Sequence, residues 1–173
     1  MKNKLLILLC ILVFSATPAA AQWQSVEAPR GLGTKWLAKA NNADGHELII
    51  WRKIGRSGYE AYVQLTLGKG EKFHDEMPTF QIDNGKIEDT LVIKLAGENL
   101  GQRWGFIEGN KATWRIWTAT TPVIATNDDL APWIKGNRVK ISYLNDKNQA
   151  KKAMFSLKGS GKAIKTAITG PFQ

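Results

Sequence analysis

The chain has 173 residues, with 24 lysines and arginines against 15 aspartates and glutamates, and one cysteine, Cys10. This length suffices for one domain with its own hydrophobic core. A single cysteine excludes an intrachain disulfide and a cysteine-ligated zinc or iron–sulfur centre, so we expect the core to hold the fold.

The first 21 residues have the pattern of a secretory signal peptide. Two lysines precede the apolar run Leu5–Phe14, and the segment ends in small residues at Ala21. The run is too short for a helix that spans a bilayer. We therefore expect cleavage after Ala21 and a periplasmic or secreted protein. The remaining domain, 22–173, would have 152 residues (173 − 21), no cysteine and a net charge of +7 (9 − 2, since Lys2 and Lys4 are removed).

Short strand patterns separated by turn residues fill the rest of the chain. Apolar residues alternate with polar ones over Tyr59–Leu67, the period of a half-buried strand. Asn84-Gly85 lies between two apolar runs, which favours a hairpin. Turn signals recur roughly every 8–12 residues, as in sandwiches and barrels. Other predicted strands are Lys35–Ala40, His46–Ile54, Ile87–Ala96, the two arms of 104–117, Arg138–Leu144 and Lys151–Leu157. The prediction is an all-β domain, an antiparallel β-sandwich or open barrel.

Two short helices are predicted near the C-terminus. The first covers Asp128–Lys135, with Asn127 or Asp128 as its cap and Gly136 at its end. Small polar residues at the start and glycine after the last turn are typical helix boundaries. The second covers Gly161–Thr169 and is rich in small and basic residues.

Aromatic residues are concentrated in the predicted hairpin 104–117. If Gly109-Asn110 is its two-residue turn, Trp104 lies opposite Arg115. Side chains alternate across a strand, so one face carries Ile107, Trp114 and Ile116, and the other carries Trp104, Phe106, Arg115 and Trp117. We expect the first face to be core. The second is the candidate ligand-binding face, able to stack a sugar ring or hold an acyl chain. Two alternatives are that the segment around Trp133 covers this face, or that the register differs by one residue and exchanges the faces.

Catalytic and metal-binding patterns are incomplete. His46–Ile50 begins like a zinc-protease motif but has isoleucine where the second histidine is needed. His74–Glu76 gathers possible ligands in one loop, yet the chain has only two histidines. We therefore predict no catalytic residue, no metal and no cofactor. The alternative function is a small exported hydrolase of polysaccharide or peptidoglycan, with carboxylates such as Glu60 and Asp83 brought together from distant strands.

The positive charge favours acidic partners through long-range attraction. In the exported compartment these would be anionic lipid, lipopolysaccharide, a glycan or another protein, and nucleic acid is a poor match. The basic residues are spread along the chain, with no run longer than Lys151-Lys152. Maintaining solubility is the alternative role for this charge.

Two segments resemble the invasion-associated locus B family of exported bacterial proteins. Met77–Lys86, MPTFQIDNGK, is similar to a hairpin of that family, and Lys152–Ala167, KAMFSLKGSGKAIKTA, is similar to its C-terminal strand and small-residue helix. The resemblance implies an all-β protein that acts at the cell envelope or in host-cell entry. It supplies no catalytic residues. Many members carry paired cysteines, and this chain departs from them. The sequence thus predicts an exported, non-enzymatic binding protein.

Overall fold

The computed structural model describes residues 22–30, 32, 34–55, 58–90, 105–121 and 129–171, and within them the chain is built mainly of antiparallel strands. Alternating apolar side chains form most of these strands, because each has one face against the core. The strands are β1 (Gln24–Glu27), β2 (Trp36–Asn41), β3 (Glu47–Gly55), β4 (Gly58–Thr66), β5 (Thr79–Ile82), β6 (Glu88–Asp89), β7 (Gly105–Glu108), β8 (Lys111–Ala119), β9 (Arg138–Leu144) and β10 (Ala150–Ser156).

The strands form two sheets, which confirms the predicted all-β class. The larger sheet has six strands in the order β1-β2-β3-β4-β8-β7, and the smaller has four in the order β10-β9-β5-β6. Every pairing between named strands is antiparallel. Of the strand predicted over Ile87–Ala96, β6 covers the beginning, and residues 91–96 lie outside the described part of the chain.

The inner faces of the two sheets share one core. Trp114 of the larger sheet stacks on Phe80 of the smaller one, with ring centroids 6.2 Å apart. Trp133 packs on the same Phe80 ring at 5.2 Å. Trp114 is fully buried, as predicted. These three aromatics therefore join the two sheets into a sandwich.

Two short helices near the C-terminus complete the core. The helix α1 (Ala131–Lys135) has proline in its first turn and ends before Gly136, as predicted. It begins after Leu130, and the proposed caps Asn127 and Asp128 lie outside the described residues. The longer helix α2 (Ser160–Thr169) contacts β1, β2 and β3. It buries small and branched residues against their inner face, where the alanines of β2 leave room.

One side of the sandwich is closed by side chains that reach from one sheet to the other. The indole Nε1 of Trp23 donates to the Ser156 carbonyl at 2.7 Å. The amide Nδ2 of Asn42 donates to the Met154 carbonyl at 3.3 Å. Both contacts cover β10, the edge strand of the smaller sheet. The opposite side of the sandwich has β7 and β6 as its edge strands.

Candidate binding surface

The hairpin β7–β8 has the predicted turn and register. Gly109 has a φ of 61° in the two-residue turn, a conformation that glycine adopts without strain. Phe106 lies opposite Thr113, and Glu108 lies opposite Lys111. Trp104 lies outside the described residues, so its place on the candidate ligand-binding face stays a prediction.

Trp117 does not lie on the same face as Arg115, and that part of the prediction is wrong. Along β4 and β8, Arg115 pairs with Tyr62, whereas Trp117 pairs with the next residue of β4, Ala61. Ile116 is therefore an extra residue, a β-bulge, which reverses the alternation after it. Trp117 faces the core with Ala61 and is only 4% exposed.

Phe106 and Arg115 do share the outer face of the larger sheet. Phe106 is 41% exposed. Arg115 is half-buried, and its Nη1 donates to Glu60 Oε1 at 2.8 Å in an ion pair. The alternative that Trp133 covers this face is wrong, because Trp133 packs on Phe80 inside the core. Ligand binding by Phe106 and Arg115 stays a prediction.

Two aromatics that sequence reasoning missed complete the surroundings of Arg115. The Tyr62 hydroxyl donates to Glu60 Oε2 at 2.7 Å, and the Tyr62 ring stacks on Trp51 at 5.6 Å. Burial, followed by the hydrogen bond to Glu60, raises the pKa of Tyr62. The sequence does contain a signal for these two residues, because Trp51 and Tyr62 lie at positions of their strands that alternate with the buried apolar ones. These bonds hold the charged groups of the cluster in fixed positions.

The two carboxylates named for a hydrolase have structural partners on different sheets. Glu60, on the larger sheet, is bonded by Arg115 and Tyr62. Asp83 follows β5 of the smaller sheet and accepts the backbone N–H groups of Asn137 and Arg138 at 3.0 Å. Asp83 therefore joins the β5–β6 hairpin to the start of β9. This arrangement does not bring the two carboxylates together as a catalytic pair.

Both histidine residues form hydrogen bonds within the fold. Nδ1 of His46 accepts the Gly68 N–H at 3.0 Å, and burial lowers the pKa of His46. The His74 N–H donates to the Leu144 carbonyl. Within the described ranges, no three histidine, cysteine or acidic side chains are grouped so that they could hold a metal ion.

The outer faces of the two sheets differ in charge balance. On the larger sheet, basic residues have acidic neighbours. Lys39 forms an ion pair with Glu47, Arg115 forms one with Glu60, and Lys111 lies opposite Glu108. At distances of about a Debye length or more, the electrostatic potentials of neighbouring opposite charges largely cancel. This face therefore gives little net attraction for a charged partner.

The outer face of the smaller sheet is cationic. The outward positions of β5, β9 and β10 are Thr79, Gln81, Arg138, Lys140, Ser142, Leu144, Ala150, Lys152, Met154 and Ser156. They include three basic residues and no acidic one. Two carboxylates border it, Asp83 beside Arg138 and Asp89, which pairs with Thr79 and so lies at an outward position of the edge strand β6. We call this surface the cationic face.

Met154 lies among the basic residues of the cationic face. It pairs with Lys140 across the strands and is 41% exposed. Lys152 precedes it by two positions on the same face, and Arg138 pairs with the next outward residue, Ser156. No ion pair involves Arg138, Lys140 or Lys152 in the part of the chain that the structure describes. An apolar side chain among cations that form no ion pair suits a surface that is both anionic and apolar.

Comparisons with known proteins leave this surface as the main guide to function. No protein-family model matches the chain, and neither the curated proteins nor the solved structures contain a significant match. None of the helices described has the length and apolar character needed to cross a membrane.

Proposed function

We propose that this is an exported, non-enzymatic binding protein that attaches to anionic lipid headgroups at the cell envelope through the cationic face. The single observation that carries the proposal is the charge of that face, with three basic residues, no acidic residue at an outward position of β5, β9 or β10, and an exposed methionine among the basic residues. The signal-peptide pattern and the resemblance to invasion-associated proteins agree with it, since both point to the envelope.

Three basic residues are enough to give a measurable electrostatic attraction to an anionic bilayer. A basic residue near an anionic bilayer contributes about 1 kcal/mol. Three such residues would give about 3 kcal/mol, and the Met154 side chain adds apolar contact. The attraction falls within a Debye length, about 8 Å at physiological ionic strength, so only residues on the docking face contribute fully. Weak, salt-sensitive and reversible attachment is the expected behaviour.

The test is co-sedimentation with vesicles that contain phosphatidylglycerol. The double variant Lys140→Gln/Lys152→Gln should bind about thirtyfold more weakly, the effect of two lost lysines at about 1 kcal/mol each. The matched control is Lys53→Gln/Lys111→Gln, which removes the same charge from the outer face of the larger sheet. It should bind within about threefold of the wild type, because those lysines point away from the bilayer.

Three outcomes would overturn the proposal. Equal loss in both double variants would show that net charge, rather than the cationic face, drives binding. Equal binding to vesicles of phosphatidylcholine alone would show that anionic headgroups are not recognised. Binding to lipopolysaccharide or heparin but not to phosphatidylglycerol vesicles would contradict the choice of lipid and favour a glycan.

A further inference from the structure

A cleft of about 460 Å³ lies between β7 and the segment 72–77. Its apolar lining comes from Phe73, Met77, Phe106 and Ile107, and its charged lining from Lys72, Asp75 and Asp146. None of these residues belongs to the cationic face. The proposed attachment to lipid leaves this cleft without a role.

The cleft borders β7, the edge strand of the larger sheet. Just after β4 and just before β8, the Leu67 N–H donates to the Asn110 carbonyl at 2.8 Å, which fixes the alternation of hydrogen bonds along β8. Phe106 and Glu108 therefore bond to β8, and the main-chain groups of Gly105 and Ile107 point outward. No hydrogen bond to those outward groups occurs in the described structure.

Among the residues that the structure describes, the edge of β7 has little of the protection that edge strands commonly have. Lysine, proline or a covering side chain usually prevents such an edge from pairing with another chain. The edge of β10 is covered in this way by Trp23 and Asn42. Along β7, Gly105–Glu108, neither lysine nor proline occurs, and only Glu108 is charged.

The wall opposite β7 is held in place by backbone hydrogen bonds. Phe73 N–H donates to Gly109 in the hairpin turn at 3.1 Å. Asp146 N–H donates to the Lys72 carbonyl at 3.0 Å. A Cβ added to Gly105 would lie 2.6 Å from the Met77 methyl carbon, so the wall approaches β7 closely at that end. The cleft is thus a formed feature of the fold, with main-chain donors and acceptors on one side and apolar contacts on the other.

The charged residues at the cleft indicate which charge a polypeptide bound there would carry. Asp75 and Asp146 are exposed at its border, and neither forms an ion pair in the described part of the chain. A second cavity of about 330 Å³ shares Asp75 and Met77 with the cleft and adds Glu76 and Asp89. Against these four carboxylates the two cavities contain one cation, Lys72. The local charge is negative in a protein that is positive overall.

We infer that the cleft binds an extended polypeptide segment of a partner protein, in which basic and apolar side chains alternate, as a further strand beside β7. Gly105 and Ile107 would supply main-chain hydrogen bonds, as in other cases of strand addition. Alternate side chains of an added strand point to opposite faces, so apolar ones would meet Met77 and Ile107 while basic ones reach the carboxylates.

The test uses a short acetylated peptide in which lysine alternates with valine, labelled for fluorescence anisotropy. Three comparisons define the mode of binding. A peptide with glutamate in place of lysine should bind at least roughly tenfold more weakly, because like charges oppose at the border of the cleft. Two further peptides carry N-methyl groups, one on the odd-numbered residues and the other on the even-numbered residues. A strand bonds to one neighbour through every second residue. N-methylation should therefore abolish binding in only one of these two peptides.

Variants locate the site. Asp75→Asn/Asp146→Asn should weaken binding of the lysine peptide by roughly tenfold, the effect of losing two exposed ion pairs, without changing the melting temperature. The matched control, Glu27→Gln/Asp44→Asn, removes the same charge from exposed positions in β1 and the β2–β3 turn, and should bind as the wild type does. Equal weakening in both double variants, or equal binding of the two N-methylated peptides, would overturn the inference. So would dimerisation that the peptide does not displace, since the edge would then pair with a second copy.

Discussion

Removal of the Trp117 side chain should destabilise the protein, although its position in the hairpin made it a candidate ligand-binding residue. The β-bulge at Ile116 directs Trp117 into the core, where it is 4% exposed and faces Ala61. A tryptophan buries on the order of 150–250 Å². At about 25 cal/mol per Å², this corresponds to about 4–6 kcal/mol as an upper estimate.

The expected loss for Trp117→Ala is therefore about 3–5 kcal/mol, the range measured for buried large aromatics. In a domain of this size, 1 kcal/mol shifts the melting temperature by about 2–4 °C. The variant should melt roughly 6–20 °C below the wild type. Vesicle binding at a temperature where both proteins are folded should not change, because Trp117 is not on the cationic face.

Urea and thermal unfolding followed by circular dichroism provide the measurement. The matched control is Trp51→Ala, which removes a half-exposed tryptophan from the outer face of the same sheet. The control should lose less than about 2 kcal/mol, since it gives up partial burial and the stack on Tyr62. A loss below about 1 kcal/mol in Trp117→Ala would refute the bulge and the burial that follows from it.

Three further predictions concern pH, the Arg115 ion pair and processing. Burial lowers the pKa of His46 below its unfolded value of about 6.5, so the unfolded state binds more protons below that pH. The free energy of unfolding, measured in urea, should decrease as the pH is lowered from 7.5 to 5.5. The variant His46→Asn retains an acceptor for the Gly68 N–H and should reduce this decrease in stability. An equal decrease in the variant would contradict the role of His46. A double-mutant cycle of Glu60→Gln and Arg115→Met should give a coupling energy of about 1 kcal/mol in unfolding, whereas a value near zero would mean that the ion pair contributes nothing. N-terminal sequencing of protein from the periplasmic fraction should begin at Gln22; an intact Met1 chain in membranes would contradict cleavage.

Much of the fold could be predicted from the sequence, because strand and hairpin signals are local. The alternation in Tyr59–Leu67 predicted β4, and Gly109-Asn110 predicted the turn between β7 and β8. Burial of Trp114 followed from the same alternation. Each of these features depends on residues that are close together in the chain.

The bulge could not be predicted in this way. The residues of β8 alternate in type from Lys111 to Ile116, and Trp117 then follows as a second apolar residue. Two successive apolar residues do not by themselves mark a bulge, and only the pairing with Ala61 and Tyr62 of β4 shows that Ile116 is extra. A bulge is a property of two strands together. Sequence reasoning about a single hairpin therefore placed Trp117 on the wrong face.

The cationic face was hidden for a similar reason. Lys140 and Lys152 are far apart in the chain, and the sequence shows basic residues that are spread rather than clustered. The β9–β10 register places Lys140 opposite Met154, next to Lys152 on the same face. Charge patterns read along the chain find runs of basic residues, but not residues that a sheet brings together.

A fluorescent reporter on the cationic face would test the proposed attachment to lipid most directly. The chain from Gln22 onward has no cysteine, so Met154→Cys and Lys53→Cys each provide one site for a polarity-sensitive dye on opposite outer faces. With phosphatidylglycerol vesicles, the dye at position 154 should shift to the blue and lose the shift at high salt, while the dye at position 53 should not respond. A shift at position 53, or none at position 154 when the protein is bound, would contradict attachment through the cationic face.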